Sequence, residues 1–488
     1  MFAMRGRRYL VLAAIAAATV AALFLWHDDA RASRAKSYVN NMADKAGVGA
    51  SKAKQAGPSR VRYLAEPTWT PPPTRDPFPA LSAPGGRAPA VPAWNRPAER
   101  AHERYGLDYA PPLLIGFTRS WPVLLQAVVS YIAAGWPPEG IWVVENTGGG
   151  AHRANARGLL TMQNPLFLDH AALGRLGVRI VGAPVLLSFA QLQNYYTSLA
   201  HEHRWPYYFW SHMDVLVLSL EDGLDGVTPP ARRPGYRSVY ELCLAELQRS
   251  RAGPEPWSNV FFSYDHLSLV NREAYDDVGG WDPFIPYYMN DCDMHSRLSM
   301  RNWTQRNARS SIVTDVSAVL DDLRALYRDP EVEPAFSDPN PPPPARDGGQ
   351  NRAGDQNRDR GQEPPPAPKP PSRPRHRQEA RLAPCDPRTA ATPDACAQAY
   401  YLKLKGVADS MFHHKHGDRG RNTWQLGQRG GHGEPYHYPA RGLAEAVDVM
   451  TEAGREVFRR KWGHRDCDLL SGTQLRFDDQ WRVAKDWE

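Results

Sequence analysis

A strand–helix–strand unit beginning at residue 113 narrows the fold class more than any other stretch of the chain. Leu113–Phe117 reads LLIGF, an apolar run of the length of a buried strand. Residues 122–134, PVLLQAVVSYIAA, repeat apolar side chains at helical spacing. Pro122 suits the first helical turn, where its missing N–H has no intrahelical partner to lose. Gly135-Trp136-Pro137-Pro138 stops that helix, and Ile141–Val144 is a second apolar run, closed by Glu145-Asn146-Thr147-Gly148-Gly149. Two buried strands joined through a helix predict parallel pairing with a right-handed crossover. The fold class expected is therefore α/β, Rossmann-like, with a mostly parallel sheet and flanking helices. Val178–Val181 predicts a third strand and residues 188–203 a helix. Tyr207–Trp210 predicts a fourth strand, running into Ser211-His212-Met213-Asp214 and a further apolar run at Val215–Leu218. In open parallel sheets, ligands sit beyond the carboxyl ends of the strands. The polar residues at those ends are the site candidates: Thr118, Arg119, Glu145, Asn146, His212 and Asp214.

The rest of the chain sets the limits of this core. Residues 337–380 contain no Val, Ile, Leu, Met, Phe, Tyr or Trp. Such a segment cannot bury enough apolar surface to offset the entropy of ordering it. An unstructured insertion is expected over 334–395, where 14 of the chain's 45 prolines lie between 334 and 384. Eleven more prolines fall between 58 and 97, and residues 27–110 read as a Pro-rich, extended stem. Residues 111–333 and 396–488 remain as folded material, with enough apolar content for a sizeable core. There are no internal repeats.

Residues 9–26, YLVLAAIAAATVAALFLW, carry no charge over 18 positions. At 1.5 Å per residue this just spans a hydrocarbon core. Arg5, Arg7 and Arg8 before it, and Asp28 and Asp29 after it, orient residues 1–8 as a cytoplasmic tail and the bulk of the chain as lumenal. A cleaved signal peptide ending near Ala30-Arg31-Ala32 is the other reading. Either one sends the chain into the secretory pathway, and Asn302-Trp303-Thr304 is an acceptor sequon consistent with that. The net charge of +6 comes from 59 basic and 53 acidic residues. The signs are interspersed, with no dense basic stripe, so nucleic acid is not an expected partner. The five cysteines form no Cys-x-x-Cys pair, which argues against a structural zinc site. Cys385 and Cys396 enclose a short loop and are the favoured disulfide pair.

A third segment, residues 261–303, completes a pattern. It carries Asn271-Arg272-Glu273, then Gly279-Gly280-Trp281-Asp282, then Asn290-Asp291-Cys292-Asp293 and Arg297-Leu298. Together with Glu145-Asn146 and His212-Met213-Asp214, these residues resemble the GT-A glycosyltransferases over residues 112–303. The likeness is greatest to family-2-like enzymes and the C-terminal part of the β-1,4-galactosyltransferase type. The resemblance implies a sugar moved from a nucleotide-sugar donor to a glycan or glycoprotein acceptor, by inversion, on a GT-A domain. With the anchor and stem, it also implies a single-pass type II Golgi membrane protein.

It further implies roles. His212-Met213-Asp214 stands where the family has Asp-x-Asp, so Asp214 and His212 would bind the donor through Mn²⁺ (or Mg²⁺). A Met/His pair late in the chain would complete the metal shell, which points to Met411 with His414 or His416. Asp291 would take the proton from the acceptor hydroxyl, with Asp293 supporting it or capping the helix. Thr118, Arg119, Glu145 and Asn146 would meet the nucleotide, while Trp281 and Tyr287 would meet the acceptor. Two family carboxylates are replaced here, by His212 and Asn290. That departure admits a binding domain without turnover, and the α/β scaffold also admits a nucleotidyltransferase. The plain structural alternatives are strand and helix capping for the acids, core packing for the tryptophan, and an exposed histidine cluster.

Overall fold

The computed structural model describes residues 61–63, 73–337, 393–416 and 440–487. The cytoplasmic tail, the anchor at 9–26, most of the stem and most of the insertion lie outside them. Among the described residues, no helix is long and apolar enough to cross a membrane.

The expected strand–helix–strand unit is present. β1 (Leu113–Phe117) leads through α1 (Trp121–Ala133) to β2 (Ile141–Glu145), and β1 and β2 pair in parallel, Leu113 opposite Ile141. Every residue of α1 is buried, so this helix packs on all sides. After β2 come α2 (Gly149–Ala156), α3 (His170–Leu176) and β3 (Arg179–Gly182), which pairs in parallel with β2. α4 (Phe189–Glu202) starts at a capping box in which Ser188 and Gln191 satisfy each other's backbone N–H groups. It leads to β4 (Tyr207–Ser211), parallel to β1 on the side away from β2. Gly116 is required where α4 crosses β1, because a Cβ there would stand 2.5 Å from the Tyr196 hydroxyl.

β5 (Val215–Leu218) leaves this sheet and pairs with β9 (Ile312–Asp315) as a separate two-stranded ribbon. α5 (Val239–Ala252) follows, then β6 (Trp257–Phe261), β7 (Leu267–Asn271), α6 (Arg272–Val278), α7 (Asn290–Met300) and β8 (Thr304–Asn307). The main sheet has seven strands in the order β3-β2-β1-β4-β7-β6-β8. β7 runs antiparallel to both of its neighbours, and the other pairings are parallel. This is a mixed α/β, mostly parallel, Rossmann-like architecture. Two long helices close the chain, α8 (Pro393–His416) and α9 (Ala440–Trp462).

Two expectations are corrected. The stem does not stay extended to residue 110: Phe78, Leu81, Ala101 and Leu107 are buried in the main core. Asn95 is fully buried too, donating to Ala133 O at 3.0 Å and to Glu221 Oε1 at 2.9 Å. The segment lacks a helical or strand period because single anchors, placed between prolines, fasten it instead. The insertion is also narrower than 334–395 at both ends. Phe336 packs against the main core, and α8 already begins at Pro393.

The structure also shows a disulfide that loop length did not single out. Cys292, on α7, is bonded to Cys467, while Cys243 is free and buried. Cys396 is disulfide-bonded as well, and its expected partner Cys385 lies outside the described residues. Cys292 and Cys467 are 175 residues apart, and cross-linking so long a loop restricts the unfolded chain strongly. Replacing both by serine should lower the unfolding free energy by about 2–5 kcal/mol, read as a shifted urea midpoint under non-reducing conditions.

Candidate functional site

In a parallel sheet ordered 3-2-1-4, successive connections run one way from β1 to β3 and the other way to β4. The reversal falls between β1 and β4, and the crevice beyond their carboxyl ends is the natural ligand site. Thr118 and Arg119 follow β1, and His212-Met213-Asp214 follows β4. β6 points the same way, so the turn after it brings Asp265 and His266 to the same edge. Asp315 ends β9 opposite Val215. The last turn of α8 adds Lys415 and His416.

These groups form one charged cluster. Lys415 Nζ donates to Asp214 Oδ2 at 2.7 Å and to Asp315 Oδ1 at 2.5 Å, and lies 3.3 Å from Val316 O. His416 Nε2 sits 2.8 Å from Asp315 Oδ2. His212 bridges two acids, with Nδ1 3.7 Å from Asp214 and Nε2 3.5 Å from Asp265. Burial raises the cost of charging Asp214, but Lys415 and His212 outweigh it and hold that carboxyl well below the usual range. Burial works against a charged His212 in the same way; Asp265 and Asp214 overcome it and push the imidazole up to about 10. For Lys415, too, desolvation is more than offset by Asp214 and Asp315, which raise its pKa. His266 behaves oppositely, because burial and the neighbouring His212 cation keep it neutral more readily than usual.

The metal expected at His212, Asp214 and a late histidine meets a different arrangement. Asp214 and Asp315 hold an ammonium between them, Lys415 being 2% exposed, and His212 is held as a cation rather than as a free ligand nitrogen. As they stand, these residues do not fit a divalent ion. Of the two late histidines, the structure brings His416 to the cluster. The His414 ring packs edge-on against Phe336, centroids 5.8 Å apart, and Met411 is fully buried in the main core.

The two acids of the third segment separate. Asp291, in the first turn of α7, is half-buried and lines a cleft with His295, Ser296, Ser299, Gln305 and the Cys292–Cys467 bridge. Its Oδ1 accepts from Cys292 N at 2.9 Å. Asp293 is fully buried and takes Arg297 Nε at 2.8 Å, Trp462 Nε1 at 2.9 Å and Lys461 Nζ at 2.6 Å. It fastens α9 to α7 and has no free face for a substrate, so its catalytic assignment is corrected to a structural one. Trp281 is likewise core, 2% exposed and edge-on to Phe189 and His295; an acceptor cannot stack on it. Tyr287 remains half-buried, edge-on to the exposed Tyr288.

On the far side of β1, Asn146 clamps the loop before α4: its Nδ2 donates to Leu187 O at 2.9 Å and its Oδ1 accepts from Leu187 N at 2.7 Å. Arg119 is buried and Thr118 half-buried. Glu145 has no exposed surface. It is met by His152 Nδ1 at 2.5 Å, His170 Nε2 at 2.7 Å and Asn155 Nδ2 at 2.7 Å. Burial raises its pKa, but the bonds from His170, Asn155 and His152 win and lower it. Asp265, His266, Asp315, Lys415, His152 and His170 were not among the sequence candidates. Asp265-His266 had a faint signal, two polar residues between two apolar runs; the others stand in no local pattern.

No protein-family model matches the chain, and no curated protein is similar to it. Among solved structures, it has a likeness to a mannosyltransferase from Pyrobaculum calidifontis in complex with GDP-Man and Mn²⁺. That match has 13% sequence identity and a TM-score of 0.26, and covers 43% of this chain and 60% of that enzyme's length.

The charge on His212 gives a pH signature. Its folded pKa of about 10 lies above the ordinary value of 6.5, so its stabilising contribution is complete below about pH 6.5 and is lost as pH rises through about 10. The difference in unfolding free energy between wild type and His212→Gln, from urea titrations, should therefore shrink steadily over that interval.

Proposed function

We propose that the chain is a glycosyltransferase that takes a sugar from a nucleotide-sugar donor and passes it, with inversion, to a glycan or glycoprotein acceptor. One observation carries this reading. A continuous run of ionisable groups joins the charged cluster at the β1/β4 switch point to the carboxylate that faces the cleft. His212 reaches Asp265 at 3.5 Å, and His295 feels both Asp265 and Asp291, although burial still keeps its pKa low. The run thus links the ligand crevice at the switch point to an acidic group suited to an acceptor hydroxyl.

In this reading Asp291 accepts the proton of the acceptor hydroxyl while that oxygen attacks the anomeric carbon from the face opposite the diphosphate. The bond from that carbon to the phosphate oxygen breaks, and the nucleoside diphosphate leaves with the electron pair. Lys415 and His212 are held rigidly at the switch point by Asp214, Asp315 and Asp265, and the diphosphate departs into the crevice beyond the ends of β1 and β4. The Mn²⁺ or Mg²⁺ implied by the resemblance would have to displace Lys415 to reach Asp214 and Asp315, so no step is routed through it there. The same reading sets the domain in the Golgi lumen with residues 9–26 as anchor, on the support of that apolar run and its flanking charges.

The test is release of nucleoside diphosphate by the purified chain across a panel of nucleotide sugars, with Mn²⁺, Mg²⁺ or EDTA. Turnover from one donor is the expected result. Donor affinity without turnover on any acceptor would favour a binding domain, and pyrophosphate release would favour a nucleotidyltransferase. Asp291→Asn should cost roughly 10²–10⁴-fold in transfer rate, as expected for loss of a general base, with the thermal midpoint unchanged. A near-normal rate would remove Asp291 from that role.

A further inference from the structure

We propose that Glu145, His152 and His170 form a binding site for a divalent transition metal, with Zn²⁺ the ion that best suits the donors. The three side chains come from separate elements: the last residue of β2, the middle of α2 and the first residue of α3. Each offers one ligand atom, and these atoms all lie within 4.8 Å of one another. Two imidazole nitrogens and one carboxylate oxygen are a recurrent protein donor set for Zn²⁺, leaving a fourth position open. That position falls on the side where the rings are exposed, His152 by 32% and His170 by 23%.

The surroundings hold these ligands in place. Oε2 of Glu145 is the oxygen facing both rings, 2.5 Å from His152 Nδ1 and 2.7 Å from His170 Nε2. Its other oxygen is held by Asn155 Nδ2 at 2.7 Å and Thr147 Oγ1 at 3.2 Å. Asn155 is itself fixed: its Nδ2 also donates to Leu166 O at 2.8 Å, and its Oδ1 accepts from Leu168 N at 3.1 Å. It thereby ties the carboxylate to the segment that leads into His170. Outer partners of this kind orient metal ligands and set their affinity. The His152 ring lies against the backbone of Gly182, where a Cβ would stand 3.0 Å from three of its ring atoms. A side chain at that position would crowd the ring.

The alternative is a closed hydrogen-bonded triad in which both imidazoles donate to one oxygen. The two differ in spacing. Ligand atoms about 2.0–2.1 Å from a tetrahedral Zn²⁺ stand roughly 3.3 Å from one another, wider than the 2.5 and 2.7 Å seen here. Seating the ion needs the two half-buried rings to swing outward by roughly 0.6–0.8 Å, while the buried carboxylate stays fixed.

The experiment uses the full chain without a polyhistidine tag, titrated with Zn²⁺ against a chromophoric chelator and checked by elemental analysis after dialysis. One Zn²⁺ per chain should be retained at micromolar free metal. It should be lost in His152→Ala and in His170→Ala, and bound roughly 10–100-fold more weakly in Asn155→Ala. Zn²⁺ should raise the thermal midpoint of the wild type and leave the two histidine variants unmoved; a variant too unstable to purify is replaced by Glu145→Gln, which keeps the shape of the carboxylate. Absence of retained Zn²⁺ in the wild type, or equal retention in wild type and histidine variants, would overturn the site. Neither outcome depends on whether the chain transfers sugar.

Discussion

The Lys415 ammonium, enclosed by Asp214 and Asp315, is the constraint on which the arrangement of the site depends. Taking three charges out of water is costly, and the cost is met only when each has its partners in good geometry. Here two carboxylate oxygens and the Val316 carbonyl surround the amine. The ammonium fixes the end of α8 over the β5–β9 ribbon and thereby fixes His416 beside Asp315. The ribbon in turn hangs on α1, where Ser130 Oγ accepts from Val217 N at 3.0 Å. α1 reaches the end of β4 as well, where Tyr131 donates to Ser211 Oγ at 2.8 Å. The positions of His212 and Asp265 follow from those two attachments.

Asp293 plays the corresponding part between α7 and α9. It joins Arg297, Trp462 and Lys461, and Lys461 also reaches Asp282 at 2.7 Å. Asp291, two positions earlier on the same helix, faces the opposite way, into a cleft. Two acids of one short motif therefore take unlike roles, because a helix turns about 200° between residues i and i+2. The residue type says that a carboxylate is wanted at such a place; only its direction tells whether it serves packing or chemistry.

The sheet was largely legible in the sequence, because apolar runs such as LLIGF and IWVV have no stable place outside a buried strand. β1, β2, the third and fourth strands and the helices expected at 122–134 and 188–203 fell within one or two residues of their bounds, whereas α2 and α3 were not expected. The return of β7 against β4 and the departure of β5 into its own ribbon were not legible, since pairing partners leave no local pattern. Glu145, His212 and Asp214 were legible as polar residues ending strands, although the partners that hold them were not. The site was hidden where it is assembled from afar. Lys415 read as one more residue in a histidine tract, and its role depends on Asp214, 201 positions away. The buried anchors Phe78 and Leu81 were hidden for a related reason: single apolar residues among prolines show no period, yet each fills one pocket.

The Cys292–Cys467 bond has a topological consequence. Its two ends lie on either side of residues 338–392, so that whole segment sits inside a covalently closed ring. Polar, Pro-rich sequence of this kind is where proteases cut most readily. A single cut within it would open the ring without separating the pieces, and α8 and α9 would stay attached to the sheet by a sulfur–sulfur bond as well as by their buried charges. The chain would become two polypeptides in sequence while remaining one molecule in covalent terms, and only reduction would reveal the break.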